Sequence, residues 1–257
     1  MPPRLSIITP CFNAVTTIRD TIESVVTQGF GDMEYIIIDG GSTDGTLEIL
    51  QEYSGIIDKM VSEPDQGISD AFNKGVELAS GDYIGIINAD DYYDPRAFSR
   101  ILQAAADHGD PDVIYGSLRY LPLKGRDYME HPRIGRIWNY MSVFHPAMFI
   151  HRTAYQKIGA YKVDYRYAMD SEWVHRAVAR SLKLVQCYGV ISNMRLGGVS
   201  HKNSLSSLSE FRRSAITHGA SKIMANYYFV RQSAIQKLVN IRLVRALRLR
   251  LRANSHY

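Results

Sequence analysis

Apolar positions in the first half of the chain switch repeatedly between two periods. Residues 5–9 form a short β-rich run that stops at Pro10. Ile18, Ile22, Val25 and Val26 then recur at i, i+4, i+7 and i+8, the spacing of an amphipathic helix. Residues 35–38 are continuously apolar, as a strand covered on both faces should be. Residues 43–46 lead into a short helix carrying Leu47 and Leu50, and residues 59–61 suggest a third strand. Phe72, Val76 and Ala79 mark another helix, and residues 83–87 a fourth strand. Asp94 followed by Pro95 predicts a helix start, a cap residue and then Pro at the first helical position. Residues 113–115 complete five predicted strands. Strand alternating with helix implies an α/β domain with a mainly parallel central sheet flanked by helices.

The periodicity weakens between residues 116 and 200. Residues 116–132 read as a strand and loop insertion, residues 156–159 as a helix end, and residues 169–181 as a helix with Trp173, Ala177 and Val178 on one face. No repeat or flexible linker interrupts this region. Residues 1–205 are therefore taken as one domain and residues 206–257 as a helical extension.

Composition supports this picture and narrows it. The chain has 257 residues, 46% hydrophobic and 22% charged, which suits one large domain and excludes disorder or low complexity as a whole-chain description. Two cysteines, Cys11 and Cys187, make neither a disulfide framework nor a four-thiolate zinc site, so a reducing, cytoplasmic setting fits. The N-terminal residues do not have the form of a secretory signal, and no window approaches the ~18 apolar residues of a membrane span.

Charge divides the chain sharply. The net charge is +4, yet no Asp or Glu follows Glu210, while residues 211–257 carry ten Lys and Arg. An acidic body thus carries a strongly basic tail.

In open α/β sheets, ligands sit outside the carboxyl ends of the strands. The segments that follow the first four predicted strands are Thr9-Pro-Cys-Phe-Asn13, Asp39-Gly-Gly-Ser-Thr-Asp-Gly45, Glu63-Pro-Asp-Gln-Gly67 and Asn88-Ala-Asp-Asp91. Three of the four deliver carboxylates to one edge. Such an edge repels a bare phosphate but suits a hard divalent cation that bridges carboxylates to a pyrophosphate. The glycine-rich cradles that hold phosphate directly are missing from these segments.

The same segments, in this order, resemble family 2 nucleotide-sugar glycosyltransferases, inverting enzymes with a GT-A fold. The matching stretches are Ser6-Ile-Ile-Thr-Pro-Cys-Phe-Asn13, Ile36-Ile-Ile-Asp-Gly-Gly-Ser-Thr-Asp-Gly-Thr46, Glu63-Pro-Asp-Gln-Gly-Ile-Ser-Asp-Ala-Phe-Asn-Lys-Gly75 and Ala79-Ser-Gly-Asp-Tyr-Ile-Gly-Ile-Ile-Asn-Ala-Asp-Asp91, followed by Ala168-Met-Asp-Ser-Glu-Trp173. The resemblance spans about residues 5–205. It implies that Thr9, Pro10 and Phe12 line a nucleobase pocket and that Asp39 accepts a hydrogen bond from the base, with a UDP-sugar favoured. It places Asp65 and Asn73 near ribose, phosphates or donor sugar. Asp90 takes the last position of the family's Asp-x-Asp metal motif, with Asp91 beside it reaching the metal or the sugar. Asn88 stands where the first Asp of that motif is usual and brings an oxygen without charge. Asp170 matches the catalytic base, with Met169 in place of the usual preceding Glu and Glu172 as a secondary candidate. His201 fits a late histidine that reaches the metal or pyrophosphate, and His145 falls where acceptor contacts are implied. The implied cofactor is Mn²⁺ or Mg²⁺, and the implied partners are a nucleotide-sugar donor and a saccharide acceptor.

In the tail, Arg242, Arg245, Arg248 and Arg252 share one side of a predicted helix, and Leu243, Val244, Leu247 and Leu251 another. A basic amphipathic helix suits an anionic membrane surface, where each basic residue contributes about 1 kcal/mol. The alternative is packing on the domain itself or on a partner subunit; no nucleic-acid recognition motif accompanies it. Together with the family resemblance this suggests a protein peripheral on the cytoplasmic membrane face, acting on a saccharide carried by polyprenyl diphosphate. Two other readings stay open: a sugar nucleotidyltransferase, and a GT-A nucleotide-binding module without turnover. The first lacks a basic glycine-rich loop after the first strand, and the second draws on Asn88 and Met169.

Overall fold

The computed structural model describes residues 4–122, 126–196 and 203–253, with side chains described to residue 238. His201 and the arginine face of the tail beyond residue 240 lie outside the described residues and side chains. Nine strands form one sheet: β1 (Leu5–Cys11), β2 (Met33–Asp39), β3 (Lys59–Ser62), β4 (Tyr83–Ile86), β5 (Tyr92–Tyr93), β6 (Val113–Leu121), β7 (Tyr128–Glu130), β8 (Met148–His151) and β9 (Leu184–Arg195). The helices are α1 (Ile18–Val26), α2 (Thr46–Glu52), α3 (Ile68–Leu78), α4 (Ala97–His108), α5 (Arg152–Ile158), α6 (Met169–Ala179), α7 (Ser204–Thr217) and α8 (Lys222–Ala253).

The strand order is β3-β2-β1-β4-β8-β6-β9-β5, with β7 paired to β6. Strands β1 to β4 run parallel, as the alternating sequence predicts. The second half departs from a mainly parallel sheet. Strand β8 is antiparallel to both β4 and β6, and β5 and β7 add further antiparallel pairs. Residues 113–115 are only the start of a nine-residue strand, and β9 pairs with it along most of its length through a register shift.

The continuous apolar run of β2 follows from coverage on both faces. Tyr35 and Ile37 point into one core with Ile18, Ile22 and Val25 of α1 and Phe98 and Ile101 of α4. Ile36 and Ile38 point into the other core with Phe72 of α3 and Trp173 of α6. Alternate residues of one strand thus serve two layers. Each large side chain buried there contributes about 1.5–3 kcal/mol. Helix α3 lies so close to β1 that a Cβ on Gly75 would stand 2.4 Å from Ile8 Cγ2.

Two boundaries differ from the sequence expectation. Helix α4 begins at Ala97, not at Pro95. Asp94 instead closes a turn, accepting from Arg96 N–H at 3.2 Å and pairing with Arg100 at 2.8 Å. At the C-terminus, α7 is not a free extension. Its Ala215 and Ser214 are fully buried, Ser214 Oγ bonds His175 Nδ1 of α6 at 2.8 Å, and Glu210 accepts the backbone N–H groups of Arg166, Tyr167 and Ala168. Residues 204–217 thus pack against α6 and the segment before it.

Candidate active site

The chain leaves β1 for β2 on one side and returns to β4 on the other, which opens a crevice at the carboxyl ends of β1 and β4. The loops after β1 and β2 are laced across it. Asn13 N–H donates to Ser42 Oγ at 2.8 Å, Thr43 N–H to Asn13 Oδ1 at 2.9 Å, and Ala14 N–H to Thr46 Oγ1 at 2.8 Å. Asn13 sits at φ 49°, a left-handed conformation that Asn tolerates better than most residues.

Asp39 organises this lacework from within. It is fully buried, and its carboxylate accepts from Gly41 N–H, Ser42 N–H, Ser42 Oγ and Ser62 Oγ. Burial pushes its pKa up, but the hydrogen bonds from Ser42, Ser62 and Gly41 outweigh it and hold the carboxyl below its usual range. Its oxygens accept from these protein donors. Thr9 is also turned inward, its hydroxyl 3.0 Å from Tyr35 Oη, and Pro10 is buried. Phe12 remains 62% exposed at the crevice edge. Asp65 lies beside it and packs over Gly40, where a Cβ would stand 2.6 Å from Asp65 Oδ2 and 3.4 Å from the Phe12 ring. Asn73 is committed elsewhere. Its side chain donates to Tyr161 O at 2.8 Å and accepts from Tyr161 N–H at 2.9 Å, pinning α3 to the loop before α6.

The end of β4 carries unsatisfied oxygens. Asn88 Oδ1 and Asp91 Oδ2 are buried with no hydrogen-bond partner among the described residues. Asp91 Oδ1 accepts Arg195 N–H at 3.0 Å, and Arg195 Nη1 donates to Asp90 O at 2.8 Å. Burial, and then the neighbouring Asp90 charge, push the Asp91 carboxyl well above the usual range. A buried orphaned acceptor is costly unless a ligand meets it. An amide oxygen and two carboxylates are hard donors of the kind Mg²⁺ and Mn²⁺ take. These residues therefore fit a divalent cation, although no group of three or more His, Cys, Asp or Glu able to hold one occurs among the described residues.

Asp170 stands in the first turn of α6, nearly buried, with Oδ1 accepting Ser171 N–H at 2.7 Å. His145 Nδ1 lies 3.2 Å from Asp170 Oδ2, and His145 Nε2 is buried without a partner. Both line a cleft of about 220 Å³ together with Tyr120, Phe144 and Met194. Tyr120 connects the two halves. Burial raises its phenol pKa first, and the charges of Tyr128, Glu130, Asp170 and Asp91 raise it further, so both carboxylates act on one ring. Glu172, the secondary candidate base, is separate from this cleft. It is fully buried and tied to Arg176 at 2.9 Å, Lys162 at 3.1 Å and His218 at 3.0 Å.

Residues 6–166 match the family model described as Glycosyl transferase family 2. The chain belongs to this family. Among its relatives, a PGL/p-HBAD biosynthesis glycosyltransferase of Mycobacterium bovis (strain BCG / Pasteur 1173P2) is 28% identical over 207 residues, covering 77% of this chain and 80% of that one. An uncharacterized glycosyltransferase of Mycobacterium tuberculosis (strain CDC 1551 / Oshkosh) is 30% identical over 223 residues, 84% of each chain. Two solved structures share the fold at low identity. A mannosyltransferase from Pyrobaculum calidifontis, in complex with GDP-Man and Mn²⁺, has TM-score 0.66 at 17% identity, covering 89% of this chain and 70% of that chain. Residues 1–349 of TarS from S. aureus, in complex with UDP-GlcNAc, have TM-score 0.65 at 15% identity, covering 88% and 70%.

Family membership makes the protein a glycosyltransferase of the nucleotide-sugar class. Arg195, Tyr120 and Glu210 were absent from the sequence reading of this family 2 site. Arg195 and Tyr120 end β9 and β6, strands whose extent the local pattern hides. Glu210, the last acidic residue of the chain, was assigned to the tail.

Proposed function

We propose that this protein is an inverting, divalent-metal-dependent glycosyltransferase that moves a sugar from a UDP-sugar to a hydroxyl of a saccharide acceptor. The observation that supports this reading is the pair of buried oxygens without a partner among the described residues, Asn88 Oδ1 and Asp91 Oδ2, beside Asp90 at the end of β4. Asp170, 3.2 Å from His145, lines the cleft with Tyr120 and Phe144.

Phe12 offers an exposed ring face for a base, and the 40–46 loop that Asp39 holds shapes the pocket beside it. Asn88, Asp90 and Asp91 would hold a cation, which when bound supplies Lewis-acid stabilisation of the departing diphosphate. Asp170 takes the proton of the acceptor hydroxyl as its oxygen forms the bond to C1. The C1–O bond to the diphosphate breaks on the opposite face, and its electron pair leaves with the nucleotide. One displacement of this kind inverts the anomeric centre. His145 fixes the orientation of the Asp170 carboxylate.

The acceptor in this reading is lipid-linked, on polyprenyl diphosphate, and the enzyme works peripherally on the cytoplasmic membrane face. The support is the excess of ten Lys and Arg after Glu210 and the apolar surface on α8, where Ile223 is 81% and Val230 63% exposed. No helix among the described residues is long and apolar enough to cross a membrane.

Calorimetric titration with UDP, GDP and dTDP, each with Mn²⁺ and again with EDTA, tests the reading. UDP is expected to bind with Mn²⁺ and lose most of its affinity in EDTA. Binding of GDP alone would correct the donor. Absence of binding by all three nucleotides would overturn the reading, and nucleotide binding without sugar transfer would leave a binding module.

A further inference from the structure

A second cavity, of about 100 Å³, lies behind the acceptor cleft and shares Met141, Ser207 and Leu208 with it. Five of its fifteen lining residues are aromatic: Trp138, Tyr140, Phe211, Tyr228 and Phe229. Trp138 stacks on His175 with ring centroids 4.9 Å apart, His175 meets the Phe211 edge at 4.9 Å, and Phe229 of α8 lies under the Arg212 guanidinium at 5.0 Å. The chain reaches this arrangement through α7 and α8, which close over α6.

The division of residues between the two cavities follows the first turn of α6. Tyr167 and Asp170 line the acceptor cleft, whereas Ala168 and Ser171 line the apolar cavity. Ser171 Oγ and Arg212 Nε, both on the apolar cavity, are buried with no partner among the described residues, as are His145 Nε2 and Gln236 Oε1 on the cleft. Unmet polar groups inside an otherwise apolar lining mark the place where a ligand brings an oxygen. A group seated there sits one residue along the helix from the base that activates the acceptor.

We propose that this aromatic cavity binds the apolar aglycone of the acceptor, an aryl or isoprenoid group, while its sugar hydroxyl meets Asp170. The inference rests on the glycosyltransferase reading above and adds what the acceptor carries. At about 100 Å³ the cavity has room for part of such a group, and it shares Met141, Ser207 and Leu208 with the larger cleft. Residues on both sides of the family match's end at 166 line this cavity.

The test titrates the full chain, with UDP and Mn²⁺ present, against methyl, phenyl and geranyl β-glucosides. Trp138 lines the cavity, and the other tryptophan of the chain, Trp173, is fully buried in the core, so emission reports occupancy. At least one apolar glucoside is expected to bind about tenfold or more tighter than the methyl glucoside, and to shift the emission. The better of phenyl and geranyl identifies the aglycone class. Ala225→Leu, which fills the cavity, and Phe229→Ala, which strips its wall, should each remove that preference, and Trp138→Phe should remove the emission change. Equal binding of the three glucosides, no binding of either apolar one, or a preference unchanged in both cavity variants would overturn the proposal. UDP binding in the same samples separates this failure from failure of the donor-site reading.

Discussion

His145 Nδ1 lies 3.2 Å from Asp170 Oδ2, joining the turn before β8 to the first turn of α6 at the floor of the acceptor cleft. The other Asp170 oxygen is taken by Ser171 N–H, so the carboxylate is held in one orientation by two donors from different elements. Asp170→Asn is expected to lower sugar transfer by about 10²–10⁴-fold while leaving nucleotide affinity intact. Steady-state transfer and UDP titration on the same preparation check this. His145→Ala is expected to lower kcat by up to about 10²-fold with KM for the donor unchanged, because it displaces the base without removing it.

At the end of β4, Asn88 Oδ1 is a buried acceptor with no donor among the described residues. Asn88→Asp adds a charge at a position that already presents an oxygen. Mn²⁺-dependent UDP binding is expected to tighten by about tenfold, because cation affinity follows ligand charge. Asp90→Ala is expected to erase the difference between Mn²⁺ and EDTA titrations while the thermal midpoint stays near that of the parent. Calorimetry in both buffers reads each outcome.

Glu210 of α7 accepts Tyr167 N–H at 2.8 Å, Ala168 N–H at 3.0 Å and Arg166 N–H at 3.1 Å, immediately before the helix that carries Asp170. Hydrogen bonds to a charged group contribute about 1.5–3 kcal/mol each, and they share one carboxylate here. Glu210→Ala is expected to cost about 2 kcal/mol in chemical denaturation. It should also lower kcat more than donor affinity, since the segment it holds positions the base. A loss of stability with kcat unchanged would show that the anchor does not govern Asp170.

His175 of α6 is fully buried, with Nε2 2.9 Å from the Ile137 carbonyl and Nδ1 2.8 Å from Ser214 Oγ. A carbonyl only accepts, so Nε2 carries the proton and Nδ1 accepts from the serine. Burial pushes the imidazole pKa down from 6.5 to about 4, against the carbonyl bond and nearby carboxylates that raise it. Between those values the unfolded chain binds a proton that the folded chain does not. This contribution to stability is complete above pH 6.5 and is lost as pH falls toward 4, an effect of a few kcal/mol at most. Denaturation midpoints from pH 7.5 to 4.5 should therefore fall less steeply in His175→Gln than in the parent.

Much of the fold is legible locally because β1 to β4 and α1 to α3 each satisfy one period and one neighbour. The run at residues 35–38 needs apolar side chains on both faces, and so announces a central strand. The same clarity holds for the carboxylates at residues 39, 65, 90 and 91, since a strand end in a parallel sheet always opens on the same edge. Strands β8 and β9 were not readable in this way. Residues 148–151 are too short to show a period, and β9 mixes buried and exposed positions irregularly because it bends where its pairing with β6 shifts register.

The sequence by itself determined the family and the order of the motifs, because these depend on residue type and spacing along the chain. Only the tertiary structure decided which of the named residues share a cleft. It turned Asp39 and Thr9 inward, committed Asn73 to Tyr161 and Glu172 to Arg176, Lys162 and His218, and left Asn88 and Asp91 with open oxygens. It also brought Glu210 against the backbone before Asp170, some forty residues earlier. The physical reason is that a polar side chain in a folded interior bonds whatever partner packing brings within about 3 Å. That partner is set by the meeting of distant elements, which no local pattern records.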